Sequence, residues 1–161
     1  MHDVLLDPFR HNGWATRELI AFCRPLSAGQ LAATGVGTFG DIPATLDHIV
    51  RCDASYAARM ADHPFRWVDE ATADLDVLDD RAVEVGRVWE DVLAAPIDTE
   101  RVIVVDDGAH ATRAGIFLAQ ALNHANHHRE QVCAILTGLG FASPDIQAWE
   151  YAWRTGRIWD R

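Results

Sequence analysis

The chain has 161 residues, 49% of them apolar and 24% charged, a balance that suits one soluble globular domain over residues 1–161 with a sizeable core. A net charge of −10 excludes the basic footprint that nucleic-acid phosphates require. No run approaches a membrane span, the amino-terminal Met-His-Asp-Val-Leu-Leu-Asp lacks the basic start of a secretory signal, and three scattered cysteines make no disulfide framework, so a cytoplasmic protein with no nucleic-acid or membrane partner is expected.

In chain order, Asp7-Pro8 reads as an N-cap followed by a first-position proline, opening a helix through Phe9, Trp14, Leu19 and Cys23 that Pro25 stops. Ser27 heads a short capped turn, and Gly35, Gly37 and Gly40 form a connection with little structure of its own. Asp41 caps a second helix over 42–61, whose apolar stripe is Leu46, Ile49, Val50, Ala57 and Met60. His48 falls off that stripe, on a mixed face with Cys52, Ser55 and Arg59 that suits the wall of a pocket. Residues 63–80 read as an acidic, irregular connection, and a third helix is expected over 80–95. Val102-Ile-Val-Val105 and the turn signal Asp106-Asp-Gly108 predict a small hairpin with 109–112.

The longest periodic segment, 113–139, predicts a fourth helix that ends at Gly138 and Gly140. At ~100° per residue, His128 sits within the apolar stripe and His124 one turn earlier, while His127 turns toward a boundary. An inward histidine is either a hydrogen-bonded core residue or a ligand. A pair at i,i+4 can grip one ion, but it supplies only two ligands, and another helix must supply the rest. Ala125 stands where a zinc protease would carry its glutamate, which argues against that class. Ser143-Pro144 then opens a short fifth helix with Trp149, Tyr151 and Trp153. The sum is an all-α fold, a four-helix bundle with a short extra C-terminal helix and a minor β element.

His11-Asn-Gly-Trp-Ala-Thr16, Leu46-Asp-His48-Ile and Asn123-His-Ala-Asn-His-His-Arg-Glu-Gln131, followed by Leu136-Thr-Gly-Leu-Gly140, together resemble the ordered motifs of the DinB/YfiT-like family of four-helix-bundle metalloproteins. His11 stands where that family usually has tyrosine. The resemblance implies one divalent metal ion, zinc or nickel, held by His48, His124 and His128 with positions left for water or substrate. It also implies, from relatives that use mycothiol or bacillithiol, a thiol S-transferase acting on small electrophiles. The alternative is a metal-containing binding or stress-response protein without turnover. Cys52, one turn after His48, reads as apolar filler or as a further ligand, and Arg129 and Gln131 as residues that orient ligands or close a helix contact, with a plain surface salt bridge as the alternative for Arg129. The aromatic C-terminal segment around Trp149, Trp153 and Trp159 points to a homodimer.

Overall fold

The computed structural model describes residues 4–105 and 108–160. His2, which the sequence does not place among the ligands, and the Asp106-Asp107 part of the predicted turn lie outside the described residues. Six helices and one hairpin are present among them: α1 (Leu6–Cys23), α2 (Ala28–Leu31), α3 (Ile42–Ala61), α4 (Leu75–Leu93), β1 (Val102–Val105), β2 (His110–Arg113), α5 (Ala114–Gly138) and α6 (Ala148–Arg154). Helix α1 packs on α4, α4 on α3, α3 on α5, and α5 back on α1, which closes the four-helix ring. The core of that ring includes Leu19, Ile20, Leu46, Ile49, Leu78, Val132 and Leu136, all essentially inaccessible. The antiparallel hairpin pairs Val102 with Arg113 and Val105 with His110, and it buries Ile103 at the base of α5. No helix among the described residues is long and apolar enough to cross a membrane.

Local chemistry explains where the elements begin and end. Asp41 accepts the Ala44 N–H at 2.9 Å and opens α3 as its sequence predicts. Helix α4 starts five residues before the expected position. The Asp74 carboxylate accepts from Asp76 N and Val77 N, and the acidic run that reads as loop lies along the positive end of a helix. In α1, Asp7 is not the cap: helix begins at Leu6, Pro8 sits in the first turn where its missing N–H is harmless, and Asp7 pairs with Arg157 at 2.8 Å. Ser143 does not open α6 either. Its hydroxyl donates to the Cys133 carbonyl at 3.0 Å, and α6 begins only at Ala148. Helix α5 closes with Gly140 at φ +85°, where Gly140 N bonds Thr137 O and Phe141 N bonds Leu136 O, a Schellman stop.

Each helix of the ring sends at least one polar side chain to a common buried point. The Arg129 Nη1 of α5 donates to Asn12 Oδ1 of α1 at 2.7 Å, and to the Asn12 carbonyl and the Thr16 hydroxyl. Asn12 Nδ2 donates to Asp53 Oδ2 of α3 at 3.2 Å, and Trp89 Nε1 of α4 donates to Asp53 Oδ1 at 2.8 Å. A surface salt bridge was one of the readings open for Arg129, yet it is only 2% exposed. It occupies the middle of the inward stripe of α5, and that displaces His128 to the flank. The carbonyl, amide and hydroxyl of α1 solvate its charge from within the bundle.

Burial pushes the Asp53 carboxyl up to about 6, against the Trp89 N–H and the Arg129 charge that pull it down. A carboxyl raised in the folded state contributes stability that is fully present below pH 3.8 and is lost as pH rises through about 6. The stability difference between the wild type and Asp53→Asn should therefore shift against the wild type by about 3 kcal/mol from pH 3.5 to pH 7.5. Urea unfolding of both proteins at the two pH values measures it, and a pH-independent difference would contradict the assignment.

Candidate metal centre

His48 from α3 and His124 with His128 from α5 meet at the seam between those two helices. All three are half-buried, with one edge in the bundle and one toward solvent. His48 Nε2 and His124 Nε2 stand 3.1 Å apart. The His128 ring centroid lies 4.7 Å from that of His48 and 4.5 Å from that of His124. Cys52, one turn along α3 from His48, brings its Sγ to 3.7 Å from His48 Nδ1. Ligating atoms of His48, Cys52 and His124 fall within 4.8 Å of one another. The cysteine, which reads from sequence first as apolar filler, therefore faces the cluster.

The donor set suits a divalent cation. Two ligand nitrogens at 2.0–2.1 Å from one ion lie about 2.9–3.4 Å apart between octahedral and tetrahedral angles, and the His48–His124 separation falls within that span. Both rings are held neutral, the form that ligates. Burial lowers the His124 pKa to about 4, and the His128 and His48 imidazoles add to it. His48 is lowered by burial first and then by His128 and Arg51. Burial also pushes the Cys52 thiol up, so without a cation it keeps its proton.

Gln131 organises the surroundings. Its Oε1 lies 2.9 Å from His128 Nδ1, and an amide oxygen can only accept, so the hydrogen of this contact sits on His128 Nδ1. The same oxygen accepts the Phe39 backbone N–H at 3.0 Å, while Gln131 Nε2 reaches Gly37 O and His127 Nε2. Phe39 stacks on His48 with centroids 4.0 Å apart and 13° between planes, and it meets His128 edge-on. Tyr56 closes the opposite side, edge-on to His124 at 5.9 Å.

Other candidates fall elsewhere. Ser55 and Arg59 line a separate depression with Asp62, His63 and Phe65, and Arg59 is bound to its own helix through the Ser55 carbonyl and hydroxyl. They are not a wall of the histidine cluster. His11 bonds the Ile146 carbonyl at 2.8 Å, and His110 lies on β2. The sequence reading passed over Phe39 and Asp53. For Asp53 a signal existed, because the spacing Val50, Asp53, Ala57 places it on the inward stripe of α3. For Phe39 none did, since its position depends on Gln131.

The family model of the DinB family matches residues 1–161, the whole chain. No curated protein matches it.

In protein stripped of metal, the His124 imidazole should stay neutral down to about pH 4, well below the ordinary histidine value of 6.5. A nitrogen-15 NMR titration of the ring reads this directly. Protonation near 6.5 would show that the ring is not desolvated among its neighbours.

Proposed function

The chain belongs to the DinB family, and on that premise we propose that it binds one divalent metal ion, zinc or nickel, through His48, His124 and His128. The observation that carries the reading is the 3.1 Å approach of two imidazole nitrogens from different helices, with a third ring within 4.7 Å of both. Two neutral imidazoles held this close, on a half-buried seam, gain little from packing and much from a shared cation. Such an ion, held by neutral ligands, keeps its full double charge and supplies Lewis-acid chemistry, lowering the pKa of a water or thiol that joins it.

We further propose that the activity is S-transfer from a low-molecular-weight thiol to a small electrophile that carries a leaving group: the thiol gives its proton to solvent, its sulfur bonds the electrophilic carbon, and the bond from that carbon to the leaving group breaks, the group departing with the electron pair. The chain's own residues set the conditions. Gln131 orients the His128 ring, Phe39 and Tyr56 flank the cluster with apolar rings and limit water, and Cys52 offers a fourth donor or a second thiol beside it. The protein acts in the cytoplasm without nucleic acid. It pairs with a second copy through its C-terminal segment, where Trp149, Trp153 and Trp159 are 72%, 52% and 70% exposed. Light scattering at micromolar concentration should return twice the chain mass, and a monomer would set that pairing aside.

Metal analysis of the purified protein should give about one ion per chain, lost in His124→Ala and in His128→Ala; full retention in both variants refutes the site. Cys52→Ala separates a three-histidine site, which keeps its metal, from one that needs the thiolate. With zinc retained, conversion of thiol and electrophile should rise with pH to a plateau, and it should vanish on chelation while helix content persists. Stoichiometric metal with no turnover across the thiols tested would leave the binding-protein reading in place of the transferase.

A further inference from the structure

Outside the histidine cluster, a cavity of about 500 Å³ lies between α1, α5 and α6. Neither His48, His124 nor His128 lines it. Its walls are mostly apolar, from Leu122, Trp149, Ala152 and Ile158, and Arg129 lines it too. At its rim Arg157 is already neutralised by Asp7 at 2.8 Å and stacked over the Tyr151 ring.

Arg129 is the group left incomplete. Its Nη1 makes every hydrogen bond that the guanidinium has among the described residues, all of them to Asn12 and Thr16. Nε is buried with no acceptor, and Arg129 forms no ion pair with a carboxylate among the described residues. Asp53 reaches it only through Asn12. Nη2 has no partner among the described residues either and, unlike Nε, is not sealed, so it is the atom of the guanidinium that can meet the cavity. A buried cation with an unpaired donor is an unusual element in a largely apolar wall.

We propose that this cavity is a second binding site, distinct from the histidine cluster, for a small carboxylic acid with an apolar body, whose carboxylate docks on Nη2 of Arg129. The volume lies in the range of small-ligand sites, and the composition matches them: apolar walls with few convergent polar groups. The guanidinium fixes the orientation of the acid, while Leu122, Trp149 and Ile158 take its hydrocarbon part.

The probe is 4-phenylbutyrate, with 4-phenylbutyramide as its uncharged match, titrated into zinc-loaded and metal-free protein and followed by calorimetry and by the Arg129 Nε–H NMR signal. The acid should bind with the same affinity in both forms, should move the Arg129 signal, and should bind at least tenfold more tightly than the amide. Ala152→Trp, which fills the cavity from α6 without touching Arg129, should abolish binding and leave metal content unchanged. Equal affinity for acid and amide, no binding at millimolar concentration, or binding that appears only with zinc would overturn the proposal. These comparisons use the wild type and hold even if a variant fails to fold. Loss of metal binding in the histidine variants bears on the metal reading alone.

Discussion

A single buried charge orders the bundle. Arg129 sits where a helix of this sort would place an aliphatic side chain, and it is tolerable there only because Asn12 and Thr16 come from a neighbouring helix to meet it, with Asp53 of another holding Asn12. Trp89 then ties the fourth helix to Asp53. Apolar contacts between helices accept many rotations at similar energy, but this polar chain accepts few, because a slip leaves a charge or an amide without a partner. One residue before Arg129 comes His128, and one before Asp53 comes Cys52. At ~100° per residue, holding the second member of each pair inward turns the first toward the α3–α5 seam. The geometry of the histidine cluster is thus inherited from a network that does not touch it.

The ends of the bundle are held by different means. Arg17 and Arg24 of α1 share Asp79 of α4, an exposed clamp of modest strength, and burial of that carboxyl is outweighed by the two arginines, which hold its pKa below the usual range. Asp47, 4% exposed, accepts from Arg51 and from the Thr72 backbone, so the long connection between α3 and α4 is pinned to the helix that carries His48. Arg81 adds a cation over the Trp67 ring in the same connection. The segment that looks irregular by composition is thereby a strut beside the site.

Much of this was legible from residue order. The span of α3 follows from Asp41 and the apolar period that succeeds it, and the His124–His128 pair from simple helical spacing. What escaped reading depends on partners distant in sequence. An arginine in isolation reads as surface, and only Asn12 and Thr16 make its burial tolerable. Asp53 falls on a hydrophobic stripe where a count of apolar residues passes over it. Loop 35–40 looks featureless through its glycines, yet Thr38 bonds Gly35 and Gly40 within it and Gln131 fastens it from α5. Ser143-Pro144 has the form of a helix start, but the carbonyl of Cys133 claims its hydroxyl.

Gln131 has one side-chain carbonyl oxygen, and two donors share it: the Nδ1–H of His128 and the backbone N–H of Phe39. The orientation of an imidazole on a helix and the placement of a loop over it therefore converge on one amide side chain. A change at Gln131 reaches both helix and loop, because its Nε2 also bonds Gly37 of the same loop.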